Sequence, residues 1–312
     1  MIFYKKIAFA IGLLWGCSAL AQEPGSCRTV RFAETGWTDI VATTAVTSQL
    51  LHALGYETRN YLLSVPVTYA ALSLGDADVF LGYWKPSMTP DLRPYEDNGT
   101  VETVRFNLIE ARYTLAVPQF TYDAGLKSIG DIARFADRLD STIYGVEPGN
   151  DGNRVILSMI ANDNYNLGKF RLIESAEQAM LSEVEARIAS FQPIVFLGWE
   201  PHPMNSRFKM AYLAGGDEFF GSDYGRAMVG TNTRKGYVQE CYNVGRLLQN
   251  LVFSIDMENE LMSKILDHGE EPAKAADTWL RENTAVLELW LNGVKTWHGD
   301  DAFSAVKVLF SK

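Results

Sequence analysis

Residues 78–86 have the sequence Asp-Val-Phe-Leu-Gly-Tyr-Trp-Lys-Pro, and residues 193–201 have the sequence Pro-Ile-Val-Phe-Leu-Gly-Trp-Glu-Pro. Each segment is an apolar run rich in β-branched and aromatic residues, followed by Gly, then Trp, then a turn closed by Pro. This pattern predicts a buried strand of the parallel type whose carboxyl end carries a Trp onto a loop. Ligands of open α/β sheets bind at the carboxyl ends of strands, so both segments point to a ligand site.

A third tryptophan occurs in a similar context. Trp37 follows the apolar β segment Val-Arg-Phe-Ala at residues 30–33, just as Trp84 and Trp199 follow the two segments above. A single Trp in such a place is more often a large core residue than a binding residue. Three of them in matching contexts predict one aromatic site assembled from distant parts of the chain.

The chain around these segments alternates between predicted strands and helices. In the first unit, strands at residues 30–33, 56–63 and 78–84 are separated by helices at 39–54 and 66–74. A β-α-β-α-β order of this kind indicates a parallel sheet with right-handed crossovers.

A second α/β unit follows and is inserted into the first. Its predicted strands lie at residues 112–117, 142–146, 170–173 and 194–199, and strands at 210–213 and 227–231 lead back to the first unit. The residues after 238 have a helical pattern in which Trp279, Trp290 and Trp297 are interpreted as packing residues.

The two units predict an α/β clamshell of two lobes that closes on a ligand. Each lobe is expected to have a mainly parallel sheet flanked by helices, and two strands are expected to form the hinge. Lobe 1 comprises residues 22–117 and 213–312, and lobe 2 comprises residues 118–212.

The N-terminus is typical of a signal segment that directs export to the periplasm. Lys5 and Lys6 form a positive region, residues 7–15 are apolar, and Ala-Leu-Ala at 19–21 fits a cleavage site, so residues 1–21 are expected to be removed. The alternative is a lipoprotein anchor at Cys17, which the bulky Trp15 disfavours.

Cysteine usage agrees with export. Without Cys17, the pair Cys27 and Cys241 remains, and an even pair in an oxidising compartment is typical of a disulfide. Two buried free thiols are the alternative.

Composition and motifs exclude several functions. The formal charge of -10 argues against nucleic acid as a partner, because nucleic acid requires a basic surface. The sequence contains neither a GxSxG nor an HExxH motif, and its four histidines are scattered. His202 borders the predicted cleft, but a lone His in a Pro-rich loop is more typical of the surface than of catalysis. We therefore expect no enzyme, no metal site and no cofactor.

The aromatic cluster suits a quaternary ammonium ligand. Such a cation has no N–H to donate, and its charge is spread over methyl groups, so aromatic faces supply both the electrostatic attraction and the apolar contact. Tyr113 lies near the inferred first crossover between the lobes and is expected to join Trp37, Trp84 and Trp199.

Two polar residues are expected beside the cluster. Asp39 lies two residues after Trp37 at a helix start, where it is either a counter-charge for the cation or an N-cap residue. Asn150 lies in a polar, Gly-rich loop at residues 147–153 and is a candidate for binding a hydroxyl or carboxylate. The alternative for this loop is an ordinary turn before a helix.

Four segments together resemble the choline-binding proteins of bacterial ABC importers, which group with the glycine betaine and proline betaine receptors. They are Gly-Trp-Thr-Asp at 36–39, the strand 79–84, Tyr-Gly-Val-Glu-Pro-Gly-Asn-Asp-Gly-Asn-Arg at 144–154, and Val-Phe-Leu-Gly-Trp-Glu-Pro-His-Pro-Met at 195–204. The similarity runs through the whole mature chain. Tyr83 departs from it, since a smaller polar residue is expected there, and this departure bears on ligand preference.

The resemblance implies a two-lobe receptor that passes its ligand to a membrane permease. It implies that Trp37, Trp84, Tyr113 and Trp199 form a box around a trimethylammonium group, that Asp39 is its acidic partner and that Asn150 binds the hydroxyl end. It also favours the disulfide between Cys27 and Cys241.

The expected function is therefore capture of choline by a monomeric receptor. Glycine betaine and carnitine are the near alternatives, although Asp39 would repel their carboxylate. A secreted choline-ester hydrolase is the remote alternative.

Overall fold

The computed structural model describes residues 23–310. The predicted signal segment at residues 1–21, with Cys17, lies outside this range. Within the range, no helix combines the length and the apolar character needed to cross a membrane.

Nine strands of residues 23–310 form one mixed sheet. In chain order they are β1 (Thr29–Glu34), β2 (Glu57–Leu62), β3 (Val79–Lys85), β4 (Val101–Pro118), β5 (Thr142–Tyr144), β6 (Arg171–Ile173), β7 (Phe196–Glu200), β8 (Met210–Tyr212) and β9 (Arg226–Arg234). Their spatial order is β2-β1-β3-β9-β4-β7-β5-β6, and β8 pairs with β4 beside this path.

Helices flank the sheet. They are α1 (Thr38–Ala53), α2 (Val65–Leu74), α3 (Thr89–Asp97), α4 (Gln119–Asp123), α5 (Asp151–Ala161), α6 (Glu177–Ala189), α7 (Met204–Arg207), α8 (Asp217–Phe220), α9 (Ser222–Gly225), α10 (Tyr237–Glu240), α11 (Tyr242–Asn250), α12 (Ile255–Leu266), α13 (Pro272–Glu282), α14 (Ala285–Trp290) and α15 (Ala302–Phe310). Three 3-10 helices accompany them at Gly25–Arg28, Ile129–Leu139 and Asn164–Asn166.

The first α/β unit has the predicted order of elements. Strands β1, β2 and β3 are parallel neighbours, and helices α1 and α2 connect them. Helix α2 has a Pro in its first turn and ends at Gly75, whose positive φ of 76° suits a residue without a side chain. The local signals and the tertiary structure agree here, so the predicted boundaries hold to within one or two residues.

The sheet as a whole is mixed rather than mainly parallel, which corrects the expected strand directions. Strand β4 runs antiparallel to β7, β8 and β9, and β3 also runs antiparallel to β9. Two parallel neighbours must be joined by a crossover connection, which is usually a helix. No such helix joins β4 and β9 into a parallel unit, so these neighbours can pair antiparallel.

Strand β4 is also much longer than predicted. The sequence placed a strand at residues 112–117, whereas the observed strand begins at Val101. Polar residues interrupt the apolar pattern between positions 102 and 110, and register shifts against β9 break the alternation further. Beyond Arg112, β4 leaves β9 and pairs with β7, so one strand joins the two ends of the sheet.

The predicted lobe boundaries fall at strand ends. Pro118 is the last residue of β4, and Tyr212 is the last residue of β8. We refer to residues 23–117 and 213–310 as the first half and to residues 118–212 as the second half; their division into separate lobes remains a prediction.

A hydrophobic cluster packs α1 against the C-terminal helices and confirms the expected role of two tryptophans. Trp279 and Trp290 are buried there, with ring centroids 6.0 Å apart, whereas Trp297 is half-buried at the edge. The same cluster contains the disulfide between Cys27 and Cys241, so the predicted pairing is confirmed.

Candidate ligand-binding site

All six residues predicted from the sequence to bind the ligand line one cavity of about 280 Å³. Each half of the chain supplies four of the lining residues. They are Trp37, Asp39, Trp84 and Tyr113 from the first half, and Val146, Asn150, Asp151 and Trp199 from the second half.

The aromatic walls are placed by strands β3, β4 and β7. Trp84 lies near the carboxyl end of β3, while Tyr113 of β4 is paired directly with Trp199 of β7. The rings of Trp84 and Tyr113 are 5.7 Å apart and inclined by 53°. Trp37 completes the set immediately before α1. All four side chains are more than nine-tenths buried, so a ligand between them would be largely shielded from water.

Hydrogen bonds hold the polar edges of three rings. The indole N–H of Trp37 donates to Glu147 Oε1 at 2.5 Å, and that of Trp84 donates to Asp39 Oδ2 at 3.2 Å. The hydroxyl of Tyr113 donates to Asn150 Oδ1 at 2.9 Å, and burial raises the pKa of this phenol well above its ordinary value, so it remains a donor. With the polar edges occupied in this way, the ring faces remain for apolar and cation–π contacts.

Asn150 both begins a helix and lines the pocket. It is the N-cap of α5, because its Oδ1 accepts the Asn153 N–H at 3.0 Å, and it also lines the pocket. The same oxygen accepts the Tyr113 hydroxyl, so the cap also fixes one wall of the box.

Two carboxyl groups lie in the pocket with unused oxygen atoms. Among the described residues, Asp39 Oδ1 lacks a hydrogen-bond partner, and Asp151 has no side-chain partner other than Ser87. Burial raises the pKa of each to about 7, and the charge of Glu177 adds to the shift of Asp39. Buried carboxylates without partners are costly unless a cation or a donor reaches them. No Lys or Arg is among the residues that line the pocket.

Asp151 was not predicted as a site residue, although it lies in a segment that carries the resemblance. It is the first residue of α5 and directly follows the predicted Asn150. The polar loop before this helix was the available signal, but the sequence did not show that a side chain at this position would be buried against Tyr113 and Trp84.

A glycine allows α5 to approach Tyr113 closely. A Cβ atom added to Gly152 would lie 2.1 Å from the Tyr113 hydroxyl oxygen and 2.7 Å from Cζ. Only a residue without a side chain fits here, because a rigid, buried ring has no room to withdraw.

His202 is buried, contrary to its interpretation as a surface residue. Its ring packs edge-on against Trp199 with centroids 4.7 Å apart, and its Nε2 lies 3.1 Å from Oε1 of the buried Glu177. The sequence did not single out Glu177, whose partners lie far away along the chain.

Solved structures of similar proteins show the same fold. An ABC-transporter choline-binding protein in complex with choline is 54% identical, covers 93% of this chain and 100% of its own, and superposes with a TM-score of 0.91. A choline-binding protein in an unliganded semi-closed conformation, also 54% identical, covers 92% of this chain and 100% of its own with a TM-score of 0.85. These likenesses confirm the predicted α/β clamshell fold.

Sequence comparisons give the family. An uncharacterized protein, ORF1, of Chromohalobacter salexigens is 54% identical over 138 residues, which is 44% of this chain and 87% of that protein. Residues 28–282 match the model of the substrate-binding domain of ABC-type glycine betaine transport systems, OpuAC. The chain therefore belongs to the family of substrate-binding domains of ABC-type glycine betaine transport systems.

Proposed function

We propose that this protein captures choline between its two halves and delivers it to the permease of an ABC importer. The observation that carries the proposal is the composition of the pocket, in which four aromatic rings accompany two buried carboxyl groups and no cationic side chain. One of the two similar proteins described above was solved in complex with choline. The ligand is bound and released unchanged, so the protein is a receptor and not an enzyme.

Each residue of the pocket has a role in this proposal. The rings of Trp37, Trp84, Tyr113 and Trp199 surround the trimethylammonium group. The charge of Asp39 complements the cation, while Asn150 and Asp151 bind the hydroxyl group.

The energy of such a box is sufficient for a useful affinity. A desolvated cation–π contact contributes about 2 kcal/mol, so four rings give roughly 8 kcal/mol before costs. A micromolar dissociation constant corresponds to about 8 kcal/mol. Hydrogen bonds to the hydroxyl and burial of the methyl groups offset the loss of ligand freedom on binding.

Glycine betaine is the second candidate, because the family model describes glycine betaine transport. Its carboxylate would have to share the pocket with the carboxyl groups of Asp39 and Asp151, and no Lys or Arg is among the lining residues to neutralise it. The pocket therefore favours choline over betaine, and it disfavours carnitine for the same reason.

We further propose that the two halves are lobes and that the protein works in the periplasm. Lobe 1 comprises residues 22–117 and 213–312, lobe 2 comprises residues 118–212, and residues 1–21 are the cleaved leader. The equal contribution of both halves to the pocket supports this division, since a ligand is then enclosed only when the lobes meet.

Titration calorimetry with choline, glycine betaine and carnitine tests the ligand. We expect choline to bind at least tenfold more tightly than the two carboxylate-bearing compounds. A preference for betaine would reverse the assignment, and the absence of heat with all three compounds would overturn the proposal as a whole.

A further inference from the structure

The carboxylate of Glu177 joins the two halves beside the pocket. Glu177 is the first residue of α6 in the second half and is 5% exposed. Its Oε2 accepts the backbone N–H of Thr38 at 3.0 Å, and its Oε1 accepts the Thr38 hydroxyl at 2.8 Å. Thr38 lies between Trp37 and Asp39, which both line the pocket. One buried carboxylate therefore holds the segment that carries part of one wall.

The same carboxylate holds the opposite wall through His202. The Nδ1 atom of His202 accepts the N–H of Met204 at 2.9 Å, so in the neutral ring the proton is on Nε2. Nε2 then donates to Glu177 Oε1 at 3.1 Å. Because the imidazole packs against Trp199, Glu177 fixes the loop behind that tryptophan as well.

Two other contacts between the halves differ from the Glu177 contact, one in its exposure to solvent and the other in its position at the aromatic box. Arg154 donates to Asp91 at 2.7 Å, but its side chain is 40% exposed and the ion pair is therefore screened by water. Glu147, which accepts from Trp37, touches a residue of the box directly. Glu177 is buried and is not among the residues that line the pocket, so it acts on ligand binding through the residues it holds and through its charge, which helps to raise the pKa of Asp39.

We propose that Glu177 is a positioning residue that locks the pocket closed around its ligand. We call Thr38, Glu177 and His202 the latch. When the halves are together, the carboxylate accepts three hydrogen bonds without contact with solvent, which makes them strong. When the halves separate, water replaces the Thr38 donors, so the latch stabilises the closed form and slows ligand release. This proposal rests on choline binding as the function of the pocket.

The substitution Glu177→Gln tests the latch. Glutamine preserves the shape but replaces one acceptor oxygen by an NH2 group, which then faces a donor. We expect the dissociation constant for choline to rise about tenfold, because hydrogen bonds to a charged group are lost. The increase should lie mainly in the dissociation rate, measured by stopped-flow tryptophan fluorescence, with the association rate changed by less than about threefold.

Glu185→Gln is the matched control. It makes the same chemical change on the same helix, but Glu185 forms an exposed ion pair with Arg207. Its choline affinity should equal that of the unaltered protein. The ligand-free melting temperature of Glu185→Gln should equal that of the unaltered protein, whereas that of Glu177→Gln also reports the Glu177–His202 bond, which lies within the second half and persists when the halves separate.

Thr38→Val is a second variant that keeps the volume of the side chain and removes only the hydroxyl donor. We expect a smaller loss of affinity than for Glu177→Gln, again in the dissociation rate. The double variant should lose less binding free energy than the sum of the losses of the two single variants, because both substitutions remove the same hydrogen bond.

The outcomes separate the latch from the function on which it rests. Weaker choline binding by Glu177→Gln and Thr38→Val, with faster release and an unchanged melting temperature of ligand-free Thr38→Val, supports the latch, because only the Thr38 contact crosses between the halves. Unchanged affinity overturns it, and so does a loss of affinity in Thr38→Val matched by a loss of its ligand-free stability, since that result shows a role in folding alone. If the unaltered protein does not bind choline, it is the proposed function that fails.

Discussion

The aromatic residues of the pocket are held in place by their neighbours. Trp84 is oriented by Asp39, Trp37 by Glu147, and Trp199 packs against His202. A rigid, preoriented box loses less freedom on binding, so these contacts contribute to affinity without adding to the contact surface.

The substitution Gly152→Ala tests whether binding depends on the position of Tyr113, because it adds a single methyl group beside that ring. The added methyl group would overlap the Tyr113 hydroxyl, push the ring towards the ligand space and break its hydrogen bond to Asn150. We expect calorimetry to show at least tenfold weaker choline binding. Gly130→Ala is the control, because a Cβ atom there has its nearest neighbours at 3.7 Å. Equal affinities of the two variants would show that the position of Tyr113 does not matter.

The carboxyl groups of Asp39 and Asp151 predict a pH dependence. Burial raises the pKa of each to about 7 in the empty pocket, so both are largely protonated in mildly acidic solution. A cation binds the ionised form more tightly and lowers these pKa values, so binding near pH 6 releases protons. Choline affinity should therefore fall as the pH drops below about 7 and level off above it.

Calorimetry in buffers of different ionisation enthalpy measures this proton release. Asp39→Asn should reduce both the released protons and the affinity at neutral pH. An affinity that does not change between about pH 5.5 and pH 8 would contradict the assignment of these two carboxyl groups to the ligand site.

At the residue scale, prediction from sequence is limited by side chains whose partners come from distant parts of the chain. Trp37, Trp84 and Trp199 stood out because each follows a strand in a similar context. Asp151, Glu177 and His202 did not, because acidic residues at helix starts and a His between prolines are common on surfaces. Asp151 and Glu177 are buried where the two halves meet, and His202 is buried against Trp199 and Glu177 of its own half; no local pattern encodes these contacts.

At the scale of elements, the disulfide ties the start of β1 to the C-terminal helices. Cys27 ends a short connection before β1, and Cys241 lies between α10 and α11, so the bond closes a loop with a sequence separation of 214 residues. In the chain-entropy model, such a loop contributes up to about 5 kcal/mol to the free energy of unfolding.

The double substitution Cys27→Ser and Cys241→Ser should lower the free energy of unfolding by about 2–5 kcal/mol in urea titrations. Choline affinity should stay the same, because both cysteines belong to the cluster around α1 and the C-terminal helices rather than to the pocket. Reduced affinity would show that this cluster controls the site, and unchanged stability would contradict the structural role of the bond.

The elements of the first α/β unit could be predicted because their local signals agree. An apolar strand, a helix with a Pro in its first turn and a Gly at a helix end each specify their own boundaries. The first part of strand β4 was not predicted, because its apolar and polar residues alternate irregularly. It is held in the sheet by β9, more than 100 residues away. Its antiparallel pairing is a property of the sheet and not of the strand.

At the scale of the whole molecule, the pocket belongs to neither half alone. Four lining residues come from each half, and the latch and the contact between Trp37 and Glu147 bridge them. In the proposed two-lobe arrangement, a ligand is fully surrounded only when the lobes are together, so affinity and closure are expected to be coupled. This coupling explains how a receptor of this kind can signal its loaded state to a permease through its shape.

The most direct test of the account is a crystal structure of the protein grown with choline. We expect the quaternary nitrogen to lie within about 6 Å of the ring centroids of Trp37, Trp84, Tyr113 and Trp199. The hydroxyl group should lie within hydrogen-bonding distance of Asn150 or Asp151. A choline bound elsewhere, or one that contacts the rings of only one half, would contradict the central claim that the two halves form a single cage.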